Sequence, residues 1–501
     1  METTIKRKLA LIVGALVVAV ATYGGAARNY LLTLSTPAGA VSTETNPAYE
    51  GDTAYARTPA HSDAAWPSAA VADWPSYNRT LSSQRYSPLD QINTKNVGQL
   101  KVLCTYDLHE FTSFESSLIM VDGALIGTSE FDIFSLNPAT CAENWRKHLD
   151  YPGALLPSNR GAAYMDGALF RGTQDGRVLA FDFKTGKQLL ETRIADPKRG
   201  ESVPAAPTAW DGLIYISNSG GDYKSGKGHM YALEAKSGKI VWELFVPPRV
   251  PGDPAPDFAS GVPEGINLHN DSAAVLDART GDFGNNIKVV PVDWHDYDLA
   301  DNDKLLYRLP ITTIESDAQI FTIGKAAHFC PGVVGGDEWN TPGYDPTTNL
   351  IISGTVDWCD TGQPWAGMAA LNPLKMFGKE DKTDGHRAGW VYATDADTGV
   401  WKWRVMSNFP IVGAITPTAG GVVFFGDVGG NFYALNSSNG QKLWGQSLDG
   451  GGGIGGGIIT YTVDGAQKIA VADGFTMVTW PTKPVTAKVI ILGLDNVSSR
   501  P

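Results

Sequence analysis

The stretch VDWHDYDLADND at 292–303 places five carboxylates in twelve positions, beside His295, Trp294 and Tyr297. Asp296 and Asp298 alternate across Tyr297, and on an extended strand residues two apart share one face. Two carboxylates on one face could hold a single hard cation, because oxygen-only ligation suits Ca²⁺ or a larger trivalent ion. One of them could also act as a general base. The competing reading is an acidic surface turn, and the stretch alone leaves both open.

The elements that must position such a site are β-rich, and they lie in a chain built for export. With 501 residues, a net charge of −13 and no Lys/Arg run beyond the N-terminus, the chain lacks the basic face that a nucleic-acid partner requires. Residues 1–34 carry Lys6, Arg7 and Lys8 ahead of an uncharged apolar run from Leu9 to Ala27. That pattern directs the body across a membrane, with the segment either retained as an anchor or cleaved near the AGA at 38–40. Residues 35–70 are rich in Pro, Ala, Ser and Thr and read as a tether, leaving 71–501 as the folded domain. The four cysteines Cys104, Cys141, Cys330 and Cys359 form an even set, and two disulfides are the default in an exported chain. Pairings 104–141 and 330–359 would each join neighbouring β segments. No C-x-x-C-H haem-attachment motif occurs, nor a C-x-x-C zinc pattern.

One pattern recurs along the domain: DIFSLNPATCAENW, GRVLAFDFKTGKQLL, HMYALEAKSGKIVW, SAAVLDARTGDFGN, WVYATDADTGVWKW and NFYALNSSNGQKLW. Each copy is an alternating β run, then Asp, Asn or Glu, then a turn ending in Gly, with Cys141 in that place in the first copy. Glycine permits the positive φ of a tight turn, and the acidic or amide residue before it can cap the turn. Trp145, Trp242, Trp403 and Trp444 stand four places past the turn position, with Leu190 and Asn285 there in the other copies. A tryptophan at a fixed offset covers the seam to a neighbouring unit. Units of this length that cannot bury a face alone imply an all-β fold, a β-propeller. The turn positions 141, 186, 238, 281, 399 and 440 are unevenly spaced. The proline-rich chain between 238 and 281 is too short for a full blade plus its loop, so one blade can be incomplete.

The chain resembles the pyrroloquinoline quinone (PQQ)-dependent quinoprotein alcohol dehydrogenases, specifically a membrane-anchored branch. The resemblance is carried by DWPSYNRTLSSQRYSPLDQINTKNV, NRGAAYMDGALFRGTQDGRVLAFDFKTGK, ESVPAAPTAWDGLIYISNSGGD, FCPGVVGGDEWNTPGYDPTTNL with VDWC, and ITPTAGGVVFFGDVGGNFYALN, in order between about 73 and 480. It implies a propeller of the eight-bladed quinoprotein type, with PQQ and a metal ion near the axis. By resemblance, Asp296 is the catalytic base, and Asp298 matches a carboxylate of lanthanide-using members. NSGGD supplies Ser219, Gly220 and Gly221 as cofactor contacts and Asp222 as a metal ligand where the family usually has Glu. Arg160 in NRG and Glu115 in SFESS fall at cofactor-contacting positions. Asp253 stands where the family has a metal-binding Asn.

The chain departs from that pattern twice. VPPRVPGDP runs directly into APDF, so the tryptophan floor beneath PQQ has no counterpart. HDYD runs directly into LADNDKLLYRLP, so the family's basic cofactor contact is missing, and Asp301 and Asp303 belong to a junction rather than to the site. The glycine run GGGGIGGGI at 450–458 lacks the strand-then-helix context of a phosphate loop and reads as a close-packed inner turn. The resemblance implies an exported dehydrogenase on the periplasmic side of the inner membrane, anchored or released, holding PQQ with Ca²⁺ or a lanthanide ion. Its substrate would be an alcohol, polyol or sugar, and membrane quinone or a separate cytochrome would accept the electrons. The alternative is a propeller that has lost cofactor binding and persists as a non-catalytic scaffold.

Overall fold

The computed structural model describes residues 41–47, 72–152, 158–219, 228–245, 336–339, 342–362, 388–448, 451–477, 480 and 482–494, with isolated pieces between 272 and 380. Each described repeat folds as a four-stranded antiparallel sheet whose third and fourth strands are joined by the repeat turn. The first blade comprises Ile119–Val121, Ala124–Thr128, Asp132–Leu136 and Glu143–His148. The second comprises Ala163–Met165, Ala168–Gly172, Arg177–Asp182 and Gln188–Arg193. The third comprises Thr208–Trp210, Leu213–Ser217, His229–Glu234 and Ile240–Phe245. Two further blades run Gly343–Asp345, Leu350–Asp357, Ala388–Asp395, Trp401–Ser407 and Thr416–Pro417, Val422–Gly426, Asn431–Asn436, Lys442–Ser447. In the first blade the three inner strands are buried throughout, while Glu143–His148 is exposed or half-buried. That gradient turns one edge of the sheet inward and the other to solvent.

The turn chemistry matches its expectation. Cys141, Gly186, Gly238, Gly399 and Gly440 all have φ between 60° and 71°. Each donates its N–H to the carbonyl four residues back, on Asn137, Asp182, Glu234, Asp395 and Asn436. The side chains of Asn137, Asp182, Asp395 and Asn436 accept further backbone N–H groups of the same turns. Two of the tryptophans, Trp145 and Trp403, close seams as expected. Trp145 Nε1 donates to Phe183 O at 3.0 Å, and Trp403 Nε1 to Ser437 O at 3.0 Å. A Cβ on Gly186 would lie 2.6 Å from the Trp145 ring, and one on Gly440 2.7 Å from the Trp403 ring, so the glycine serves the seam as well as the turn.

The ring closes on itself through the strand Lys101–Asp107, which pairs with Lys488–Gly493 and completes the sheet of Ile458–Val463 and Ala466–Asp473. At this closing seam a disulfide stands in for the ring–glycine contact. Cys104 follows the bulge of its strand just as Trp145 follows the bulge of its own, and it bonds to Cys141, the first blade's turn residue. Cys359 is also disulfide-bonded, while Cys330 stands on the strand Ala327–Cys330 and its side chain lies outside the described residues. The segment 72–100 ties together the first blade, the closing blade and the two blades before it. Trp74 bridges to Met120, Thr462 N–H donates to Ala72 O, Ser87 bridges to Thr418, and Tyr344 N–H donates to Gln84 O.

Among the described residues the strands form eight sheets: one of five strands, six of four and one of two. The fifth strand is Val41–Thr45, from the segment expected as a tether, added to the edge of Trp401–Ser407. The two-stranded sheet pairs Ser272–Ala273 with Val290–Pro291, in the stretch where the repeats leave little chain for a full blade. The sheet of Glu315–Ser316, Ala327–Cys330, Asp360–Gly362 and Lys379–Glu380 is interleaved in sequence with the 343–407 blade. The architecture is a β-propeller. The apolar segment 1–34 lies outside the described residues, and among those described no helix is long and apolar enough to cross a membrane.

Candidate active site

Loops at the inner edges of three consecutive blades are hydrogen-bonded in series. Ser117 N–H donates to Arg160 O and Arg160 N–H to Pro204 O, both at 2.9 Å, and Ser202 and Ser219 exchange backbone bonds at 3.0 and 2.8 Å. Three of the expected cofactor-contacting residues, Glu115, Arg160 and Ser219, therefore lie on one connected rim. Glu115 and Arg160 meet directly, with Arg160 Nε 3.2 Å from Glu115 Oε2. Glu115 is buried, and its second oxygen accepts from Ser113 Oγ at 2.7 Å. Burial raises its pKa, while Arg160 and Ser113 oppose that shift. Arg160 retains 35% of its side-chain exposure, so it presents its charge to the open side. Ser219 is exposed, and its hydroxyl sits 3.0 Å from that of Ser202.

Three members of this site went unsingled in the sequence. The Arg160 guanidinium stands 5.6 Å from the centroid of the Trp339 ring, within range of a cation–π contact. Trp339 Nε1 donates to Gly455 O at 2.9 Å, and its own carbonyl accepts from Tyr77 Oη at 2.9 Å. Behind it lies an aromatic wall, with Phe475 at 5.6 Å and Trp480 at 6.2 Å between ring centroids. Glu338 is pushed up to about 8, first by burial and then by the charge of Glu115, with Arg160 opposing. Tyr77 and Trp339 are 262 residues apart and Arg160 and Glu115 are 45 apart, so no spacing signal joins them. All three stand in stretches that carry the family resemblance, DWPSYNRT and FCPGVVGGDEWN, without being singled out there.

The glycine run serves this wall as an inner turn. A Cβ on Gly456 would lie 2.9 Å from Phe114 O, and one on Gly457 2.7 Å from Ser117 Cα, so only glycine lets this strand approach the Glu115 loop. Beneath, Arg85 is fully buried, donates to Tyr77 O and Asn78 Oδ1 at 3.1 Å, and is pulled down to about 10 by burial.

Glu110, Asp132 and His148 also bring ligand-type atoms within 4.8 Å of one another. They already enclose a cation: Arg146 Nη2 lies 2.5 Å from Glu110 Oε1, and its Nε donates to Asp132 Oδ2 at 2.7 Å. The guanidinium fills the place of an ion, and the cluster is an ion-pair network between the 108–112 loop and the first blade. The other expected site residues, Gly220, Gly221, Asp222, Asp253, Asp296 and Asp298, lie outside the described residues.

Residues 74–249 match the family model of the glucose/ethanol/alcohol dehydrogenase β-propeller domain, and residues 387–480 match that of the outer membrane protein assembly factor BamB. The dehydrogenase subunit of the quinone alcohol dehydrogenase of Gluconacetobacter polyoxogenes is 25% identical, over 80% of this chain and 71% of its own. The chain is similar to the PQQ-dependent quinoprotein alcohol dehydrogenases, through the family model over residues 74–249 and through relatives aligned along 80% of its length. A lanthanide-dependent methanol dehydrogenase of Methylacidiphilum fumariolicum is 24% identical, over 80% of this chain and 84% of its own. A solved quinohemoprotein alcohol dehydrogenase of Pseudomonas putida shares the fold, with a TM-score of 0.68 at 22% identity over 85% of this chain and 80% of that one. The alignment to the Gluconacetobacter protein runs over 532 positions while using 80% of this 501-residue chain. Part of that relative therefore has no counterpart in this chain.

Proposed function

We propose that this quinoprotein oxidises an alcohol with PQQ and a Ca²⁺ or lanthanide ion, on the periplasmic side of the membrane, and passes the electrons to quinone or a cytochrome. The observation that carries this reading is Arg160. Its charge is balanced by buried Glu115, placed over Trp339 and kept partly exposed on the inner rim of a family propeller. PQQ is a flat, carboxylate-bearing ring system, and the described half of the site fits one edge of it. A guanidinium suits a carboxylate or quinone oxygen through paired N–H donors, and the Trp339–Phe475–Trp480 wall excludes water beside it. PQQ, when bound, supplies the two-electron oxidant that no side chain can provide.

The chain's own residues then have distinct tasks. Arg160 binds and orients, with Glu115 and Ser113 fixing the plane of its guanidinium. Ser219 with Gly220 and Gly221 offers hydrogen bonds on the neighbouring blade. Asp222, Asp253 and Asp298 are the proposed ligands of the hard cation, chosen for their oxygen chemistry. Asp296, which the resemblance also counts among the metal-site carboxylates, would take the proton from the alcohol hydroxyl as general base.

The test is equilibrium dialysis of PQQ against the purified exported domain with Ca²⁺ and, separately, with La³⁺, followed by an alcohol screen. Metal-dependent retention with turnover that Asp296→Asn abolishes, at unchanged PQQ retention, supports the assignment. No retention with either ion returns the chain to the scaffold reading.

A further inference from the structure

Among the described seams, the one between the second and third blades has neither the tryptophan ring of the Trp145 and Trp403 seams nor the disulfide of the closing seam. In the register of the outer strands that carry the repeat tryptophan, the residue after the bulge faces a small partner. Trp145 is opposite Ser135, Trp242 opposite Ala232, Trp403 opposite Ala393 and Trp444 opposite Ala434. The small partner leaves depth for an indole. In the second blade Leu190 takes the position, and its partner is still small, Ala180. The turn glycine of the third blade is Gly238, where a Cβ would meet Thr192 Oγ1 at 2.5 Å and Leu190 Cδ1 at 3.2 Å, with no aromatic ring against it.

The result is a cavity of about 240 Å³ between the second and third blades. Buried Phe170 and Ala180 line it together with Met165, Ala168, Leu190 and Ala235, and the charged Asp166 also stands in its wall. Lys236 and Leu189 stand at the mouth, and Leu189 is 53% exposed, among the few large apolar side chains turned to solvent. Ala235 is the informative member. In the filled seams the indole N–H donates to the carbonyl three residues before the turn glycine, Phe183 O before Gly186 and Ser437 O before Gly440. Ala235 holds that position before Gly238. The cavity therefore has the volume, a largely apolar lining and the backbone carbonyl position of a tryptophan berth, without the tryptophan.

We propose that this berth is a binding site for a small planar aromatic molecule carrying a ring N–H, of which indole is the simplest. Apolar cavities of about 150 Å³ take benzene, so a space of this size accommodates a fused bicycle. The ring lies against Phe170 and Ala180 and donates its N–H to Ala235 O, as Trp145 does to Phe183 O one seam earlier. The site is separate from the inner rim and uses none of its residues.

The test uses indole itself with the full chain. Thermal unfolding across an indole titration is expected to show a saturable rise of about 1–3 °C, since a ligand that binds only the folded state stabilises it. Leu190→Trp is expected to raise the melting temperature without ligand and to remove the indole response. Leu190→Phe, which fills the berth less, is expected to weaken the response. In the wild-type protein with ¹³C-methyl methionine, the Met165 methyl resonance is expected to shift saturably with the same dissociation constant. The proposal is overturned if indole leaves the Met165 methyl unmoved, or if the thermal response survives unchanged in either Leu190 variant.

Discussion

Glu338 and Arg160 make the residue-scale argument testable. Burial and the neighbouring Glu115 hold the Glu338 pKa at about 8, well above its ordinary value. A carboxyl raised in this way contributes stability that is fully present below its unfolded pKa and is lost as pH rises through the folded value. The cofactor-free protein should therefore lose stability between about pH 5 and pH 8. Glu338→Gln, which cannot titrate, should match the wild type near pH 5 and exceed it at about pH 9 by on the order of 2 kcal/mol, a figure discounted because the side chain is only partly buried. Denaturant melts at the two pH values check this, and an unchanged slope would remove Glu338 from the account. Arg160→Ala should weaken PQQ retention about tenfold to a hundredfold, because a charge-assisted fork is lost and Glu115 is left buried beside Ser113 alone. Arg160→Lys should recover only part of that loss, since lysine keeps the charge without the planar fork. Glu115 and Arg160 were legible in the sequence through the NRG and SFESS matches, and the structure brings them within 3.2 Å. Trp339, Glu338 and Tyr77 were not, because they join the site only through contacts across hundreds of residues.

Among the elements, the repeat turn was the most legible feature, for a physical reason. A tight turn needs positive φ and a cap, and both needs are met by residue types within five positions of one another. The same locality explains the seams: Trp145 and Trp403 reach the next blade's glycine because the offset is constant. What the pattern concealed was the equivalence of Cys104 to the tryptophans, since its strand lies at the other end of the chain from its sheet partner Lys488–Gly493. The Cys104–Cys141 disulfide thus joins the seam where the ring closes, across a sequence separation of 37. Cys104→Ala with Cys141→Gly, which restores a turn glycine but supplies no ring, should cost about 2–4 kcal/mol in unfolding free energy. Wild type under reducing agent should fall towards the same value, which denaturant titrations with and without thiol would measure. A loss confined to the thiol-treated wild type, with the double variant unaffected, would assign the effect to the other disulfide, that of Cys359.

At the scale of the whole molecule, the two N-terminal pieces differ in what they hold together. Val41–Thr45 adds a fifth strand to an existing sheet, mostly exposed, with Glu44 paired to Arg404 and Thr43 Oγ1 donating to Gly440 O at 2.9 Å. Exposed pairs of this kind contribute less than about 1 kcal/mol each. Residues 72–107 do more. They carry the closing strand, Cys104, and the segment that ties four blades together through Ala72, Trp74, Gln84 and Ser87. Without them the edge of Lys488–Gly493, whose last five residues are buried, would face water with its backbone groups unpaired. A chain starting at residue 72 should therefore unfold cooperatively, with a melting temperature within a few degrees of the full chain. A chain starting at residue 108 should show no cooperative transition and should elute as aggregates, read by calorimetry and size-exclusion chromatography. A cooperative, monomeric 108–501 protein would mean that the ring does not depend on its N-terminal closure. The seams between consecutive blades would then be sufficient to hold the propeller.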